Sequence, residues 1–294
     1  MDEQATSPTI AEALSEAARS LREEDVAEAR REAASLLAHV LGRDRAYLFT
    51  HDEESLTAEK LTEFRSLVRR RAAGEPLQYV TGHQEFYGLD FEVTPDVLIP
   101  RPETELLVET ALEVWRGRAA PLVCDVGTGS GCIPVSLLHE RADARAVALD
   151  ISPAALGVAR RNAERHGVSA RLTTILSDCF DALRAGEWKE TRFPLVVSNP
   201  PYVAEGELAG LQREVRDHEP RVALTPGGDG LSVIRRLVAE APDFLEPGGQ
   251  LLFEIGFGQH EQVAALLDPN VWTLLDIRRD LQGIPRLFAL RRTG

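Results

Sequence analysis

The chain lacks the cysteine pairs on which disulfide frameworks and zinc sites are built. Its three cysteines, Cys124, Cys132 and Cys179, are scattered and form no C-x-x-C pair. Neither a stapled secreted scaffold nor a structural zinc is expected, and the apolar or loop settings read as buried thiols. Basic excess is missing too. The 33 Lys and Arg against 47 Asp and Glu leave a net charge of −14 and a pI of about 5.0. That balance argues against a protein that grips duplex nucleic acid by neutralising phosphates. No apolar run approaches the length that spans a bilayer. Met1-Asp2-Glu3-Gln4 is acidic and polar where a signal or transit peptide would be basic. There is no internal repeat or low-complexity segment. These absences predict a cytoplasmic globular protein with no membrane segment and no bound metal.

What is present suits that class. The 294 residues suffice for one large domain and a small one. Residues 8–73 read as helices. Ile10, Leu14, Ala17, Ala18 and Leu21 recur at helical spacing, and a second stripe runs from Val26 to Leu41 before Gly42. Asp25 and Glu28 have the spacing of a capping box for that second helix. A third helix starts at Thr57 and ends with Arg69-Arg70-Arg71 near Gly74, the triple arginine reading as a solvated last turn that offsets the helix dipole in preference to a contact for a phosphate backbone. From Pro76 to Pro102 apolar residues broken by Gly82, Gly88 and Pro95 predict a β-hairpin.

Beyond Thr104, which opens a helix, strands and helices alternate. Strands are predicted at 122–126, 146–150, 172–176, 195–198 and 250–255, with a terminal hairpin from 272–277 and 286–290. Near-continuous apolar strands between helices mean a parallel sheet covered on both faces. The expected organisation is a helical bundle over 1–75, a hairpin linker over 76–102 and an α/β domain over 103–294.

Chemistry concentrates at strand ends. Gly127-Thr128-Gly129-Ser130-Gly131 follows the first strand of that sheet and opens a helix, so its backbone can approach a ligand closely. It fits neither common phosphate binder: Cys132 stands where a dinucleotide fingerprint needs its last glycine, and no lysine follows for a Walker loop. Asp150 ends the second strand, where a carboxylate can accept both ribose hydroxyls. Asp178 follows the third, within reach of an adenine amine. Each alone would equally serve as a turn or cap carboxylate. Asn199-Pro200-Pro201-Tyr202 leaves the fourth strand as a rigid, extended segment, because neither proline can donate to helix or ladder. The Asn199 oxygen and the Pro200 carbonyl are two acceptors suited to a planar NH2 group, and Tyr202 offers an aromatic face. Taken alone, these four residues also describe a proline-stiffened turn capped by its asparagine.

Together the glycine loop, Asp150, Asp178 and Asn199-Pro200-Pro201-Tyr202 resemble a class I S-adenosylmethionine-dependent methyltransferase acting on an amide or amino nitrogen. DNA adenine-N6 and protein glutamine-N5 methyltransferases share the Asn-Pro-Pro-Tyr motif. Tyr79-Val80-Thr81-Gly82, Glu85-Phe86-Tyr87-Gly88-Leu89 and Leu98-Ile99-Pro100-Arg101-Pro102-Glu103-Thr104-Glu105 are similar to the release factor glutamine methyltransferases (the PrmC or HemK family). So are Glu219-Pro220-Arg221 and Gly227-Gly228-Asp229-Gly230-Leu231. The resemblance implies a Rossmann-like sheet with a C-terminal antiparallel hairpin, preceded by a small helical bundle and a linking hairpin. It implies S-adenosylmethionine held by Gly127 to Gly131, Asp150, Asp178, Cys179 or Phe180, and Asn199. A substrate glutamine would meet Asn199, Pro200, Pro201 and Tyr202, with Asn199, Pro200 and Tyr202 carrying the reaction. Family members with an aromatic directly after the equivalent of Asp178 differ from this chain, where Cys179 intervenes before Phe180.

The implied reaction is N5-methylation of the glutamine in the Gly-Gly-Gln loop of class I peptide chain release factors, with the bundle docking that protein substrate and the enzyme acting as a monomer. Glu103 and Glu105 read equally as acids at the site or as helix-start charges. The rivals are a ribosomal-protein glutamine methyltransferase and a DNA adenine methyltransferase, which would need a basic recognition region that the sequence does not display. A non-catalytic adapter and a nicotinamide oxidoreductase stand further off.

Overall fold

Thr9 starts the first helix with a reciprocal cap: its hydroxyl accepts from Glu12 N at 3.2 Å while Glu12 returns to Thr9 N at 2.9 Å. The computed structural model describes residues 7–293, so Met1 to Gln4 lie outside the described residues. Among these, helices α1 (Ile10–Glu23), α2 (Ala29–Leu41), α3 (Arg45–Thr50), α4 (Ala58–Ala72) and α5 (Leu77–Thr81) form one unit, joined by a short helix from far along the chain, Arg213–His218. Its core is mostly aliphatic, with Ile10, Leu21, Leu36, Leu37 and Leu48 fully buried beside the ring of Phe64.

Three expectations are corrected here. The capping box belongs to Thr9 and Glu12, whereas Asp25 takes a left-handed turn (φ +58°) and Glu28 caps α2 without a side-chain bond. Asp44 opens a helix, α3, that the apolar spacing did not reveal. The triple arginine is not simply solvated. Arg70 pairs with Glu75, and Arg71, 5% exposed, joins Glu32 of α2 to Glu214 of the late helix, the latter at 3.0 Å.

The second unit takes His83–Gln212 and the described residues from Glu219 onward. The hairpin is short, β1 (His83–Phe86) with β2 (Leu89–Glu92), so the segment expected as one linker divides: α5 belongs to the first unit and the hairpin to the second. Then come α6 (Glu105–Val114), β3 (Leu122–Val126), α7 (Cys132–Glu140), β4 (Arg145–Asp150), α8 (Pro153–Arg165), β5 (Leu172–Leu176) and β6 (Phe193–Ser198). The helix Ser232–Glu240 precedes β7 (Leu245–Glu254), and β8 (Trp272–Arg279) and β9 (Pro285–Arg292) complete the sheet. Strand order is β5-β4-β3-β6-β7-β9-β8, parallel through β7 and antiparallel at the last two.

Alternation along the strands sends side chains to two faces. Cys124, Val126, Val196, Leu251 and Phe253 pack on one face with Ile234 and Leu237 of the helix Ser232–Glu240. Val123, Leu195, Val197 and Leu252 pack on the other with Leu107 and Val108 of α6 and Leu137 and Leu138 of α7. Strand order reverses between β3 and β6, the position at which open α/β sheets bind ligands. Among the described residues no helix is long and apolar enough to cross a membrane.

Candidate active site

At that reversal the carboxyl ends of β3, β4, β5 and β6 surround a cavity of about 340 Å³. Gly127, Thr128, Gly129 and Ser130 line it, as do Asp150, Asp178, Cys179, Asn199, Pro200 and Pro201. The sequence therefore brings together most of the residues that it singles out.

The glycine loop is built by close packing. Gly127, Gly129 and Gly131 all take positive φ. Gly131 does not line the cavity; a Cβ there would stand 3.0 Å from that of Ala159, so it lets α8 pack against the loop. Asp150 holds the loop from the neighbouring strand, its Oδ2 accepting from Gly129 N at 2.8 Å and its Oδ1 from Ser152 N at 2.9 Å. Burial raises its pKa, and those backbone donors oppose the shift. Asn162, fully buried, donates to Ser130 O and exchanges bonds with Glu92, tying loop to hairpin.

Besides Gly131, two residues fall elsewhere than the resemblance implies. Phe180 is fully buried and stacks on Phe244 at 4.9 Å in the core, off the cavity. Cys179 faces the cavity instead, because its left-handed backbone (φ +46°) turns the chain after β5. Burial pushes its thiol up to about 11, and that of Cys132, also on the cavity wall, to about 12, so neither is a thiolate nucleophile near neutrality. Tyr202 is likewise off the cavity wall. Its ring packs beside Gly256, whose added Cβ would lie 3.0 Å from Tyr202 Cδ2, and its carbonyl accepts from Gln259 Nε2 at 2.8 Å. Burial pushes the phenol up to about 12.

The Pro-Arg-Pro-Glu-Thr-Glu stretch acts as a set of braces. Arg101 pairs with Glu219, which also accepts from Ile99 N at 3.2 Å. Thr104 Oγ1 accepts from Asn199 Nδ2 at 3.1 Å. Glu105 accepts from Tyr87 N at 2.9 Å, so its carboxylate holds the hairpin turn rather than serving as an acid at the site. Ser198 donates to Val126 O at 2.7 Å, fastening β6 to β3 just before the motif. Gly230 lets a second loop approach: a Cβ there would lie 2.3 Å from the Tyr202 carbonyl.

Sequence reading missed several members. Arg236 lines the cavity and pairs with Asp178 at 2.7 Å, Asp181 at 3.2 Å and Glu240 at 2.9 Å. Nothing local distinguishes it from other arginines on an amphipathic helix. Asp125 and Glu254 are buried carboxylates at the ends of β3 and β7. Burial, chiefly, pushes each up to about 7. The Thr128 hydroxyl acts on Asp125 and draws its pKa down against the effect of burial.

The chain matches the family model of the PrmC N-terminal domain over residues 12–82 and that of the methyltransferase small domain over residues 102–262. A release factor glutamine methyltransferase of Geobacter sulfurreducens is 45% identical over 271 residues, 92% of each chain. One of Burkholderia pseudomallei is 48% identical over 267 residues, 90% of this chain and 92% of its own. Among solved structures, a methyltransferase from Pyrococcus furiosus is similar in fold, with 19% identity and a TM-score of 0.51 over 71% of this chain and 91% of its own.

Proposed function

This chain belongs to the release factor glutamine methyltransferase family, and we propose that it methylates the side-chain amide nitrogen of the Gly-Gly-Gln glutamine in class I release factors. The observation that carries the reading is the Asn199 amide, braced by Thr104 on the same cavity as the glycine loop and Asp150. The substrate class rests on the family.

The residues fit S-adenosylmethionine. Asp150 retains lone pairs for ribose hydroxyls beyond its backbone bonds to Gly129 and Ser152, and the glycine loop has no side chains over its backbone at positions 127 and 129. When bound, S-adenosylmethionine supplies a methyl group already activated as a sulfonium. Cys179 and Ile151 offer apolar wall to a base, and Asp178 with Arg236 a polar rim.

A glutamine amide nitrogen is a weak nucleophile because its lone pair is delocalised into the carbonyl. Asn199 spends its NH2 on Thr104, which leaves Oδ1 as the acceptor available to a substrate NH2. The Pro200 carbonyl, which accepts no backbone hydrogen bond among the described residues, serves as the second acceptor. Both orient the nitrogen for in-line transfer and stabilise the positive charge it develops as the methyl–sulfur bond breaks, after which it releases one proton to water; this is catalysis by position and electrostatics. Tyr202 supports the motif from behind, through its partly buried ring and Gln259.

The helical unit receives the protein substrate in this reading, its role supported by the match to the PrmC N-terminal domain. A cytoplasmic location belongs to the same reading, because release factors act in translation. The test is mass spectrometry of unmodified release factor incubated with the protein and S-adenosylmethionine. A gain of one methyl on the Gly-Gly-Gln glutamine is expected; its absence, with the cofactor bound, would overturn the proposal.

A further inference from the structure

We propose that Glu254, acting through Thr104, is a positioning residue that fixes which end of the Asn199 amide faces the substrate. The inference rests on the reading of Asn199 above and deepens it.

The two ends of a carboxamide are nearly the same size, and a half-turn exchanges acceptor for donor. Only the orientation with Oδ1 toward the cavity serves a substrate NH2. Thr104 alone cannot choose, since a hydroxyl accepts from an NH2 as readily as it donates to a carbonyl. The choice is made once the Thr104 proton is committed elsewhere. Glu254 is the group to which it commits. Phe253 of β7 lies opposite Ser198 of β6, so Glu254 and Asn199 leave adjacent strands side by side. Alternation puts Glu254 on the face of Leu252, which packs with Leu107 and Val108 of the helix that Thr104 opens. Thr104 and Glu254 are 2% and 4% exposed, and the Thr104 hydroxyl draws the Glu254 pKa down against the effect of burial.

An ionised carboxylate can only accept. It therefore polarises the chain in one direction, Thr104 donating to Glu254 and Asn199 donating to Thr104. A protonated Glu254 can donate to Thr104 instead, freeing the Thr104 proton to turn toward Asn199 Oδ1. Glu103 and Arg286 act on Glu254 from the start of the helix and from β9, and it acts in turn on Tyr202 and Cys132.

The experiment compares Thr104→Val, Thr104→Ser, Glu254→Gln and Asn199→Ala in full-length protein. Methylation of release factor is followed across pH 5.5–8.5, with S-adenosylmethionine affinity by calorimetry and folding by thermal melt. In wild type, kcat falls on the acid side as Glu254 takes up a proton. Thr104→Val lowers kcat about 10-fold, the kinetic equivalent of one hydrogen bond, with cofactor affinity and KM unchanged, and Thr104→Ser restores it to within about threefold. Glu254→Gln loses the acid limb. A folded Thr104→Val at wild-type kcat, or a Glu254→Gln with the same acid limb, would overturn the relay. If Asn199→Ala is itself as active as wild type, the reading of Asn199 fails, and the relay with it.

Discussion

Arg101 on the cavity wall and the buried Glu219 behind it, 118 residues apart in sequence, meet as an ion pair at 2.5 Å. The second Glu219 oxygen takes Ile99 N, so one carboxylate anchors the strand-like approach to Thr104 and the segment that follows Pro220. Glu219→Ala removes both bonds and leaves a guanidinium without its partner. The expected loss is about 3 kcal/mol of stability in urea unfolding. Arg101→Lys should recover little, since a lysine lacks the planar fork. A Glu219→Ala variant with wild-type stability would mean that the pair is incidental.

Asn199→Ala should lower turnover at least ~100-fold, the scale for a preorganised polar contact, while S-adenosylmethionine affinity changes little. Single-turnover methyl transfer to release factor measures the first and calorimetry the second.

Asp150→Asn keeps the shape but cannot accept from both Gly129 N and Ser152 N while still offering oxygens to a ligand. Cofactor affinity should weaken at least ~10-fold, the worth of a hydrogen bond to a charged group, with the KM for release factor changed less.

Gly230→Ala would force a Cβ onto the Tyr202 carbonyl from a backbone at φ +80°. The clash falls on the motif, so kcat should drop while the first unit melts unchanged. Calorimetric unfolding beside activity separates the two.

Asp125 carries a pH signature. Its folded pKa of about 7 stands above the ordinary carboxylate value of 3.8, mainly through burial. Between roughly pH 4 and 7 the folded state holds a proton that the unfolded chain has lost, so stability declines as pH rises through that window. Glu254 contributes with the same sign. Asp125→Asn should make the urea midpoint fall less steeply between pH 5 and 7, and an unchanged slope would exclude Asp125 as its source.

The sequence made the parallel sheet, its glycine loop and the Asn-Pro-Pro-Tyr segment legible, because period-2 and period-3.6 patterns and prolines act locally. What it concealed is set by tertiary geometry. Whether Cys179 or Phe180 faces the cavity depends on a left-handed turn at Cys179. Arg236 reaches the cavity from a helix far along the chain. Thr104 and Glu254 carry no motif that announces a partner, and only strand order brings them beside Asn199. Arg71 looked like helix-end charge because Glu214, one of its two ion-pair partners, lies in a helix that joins the first unit only after β6.

That late helix gives the chain an itinerary. It passes from one unit to the other after Gly82, again after Gln212 and back after His218. The N-terminal unit is therefore no cassette that a single cut releases. Truncation at residue 75 or 82 would leave Arg213–His218 behind, with Glu214 stripped of Arg71, in the loop that leads from Tyr202 to Glu219. Recombination between relatives that swaps the N-terminal portion alone would pair a new Arg71 neighbourhood with an old Glu214. The two stretches are expected to be inherited together, as one piece written in two places.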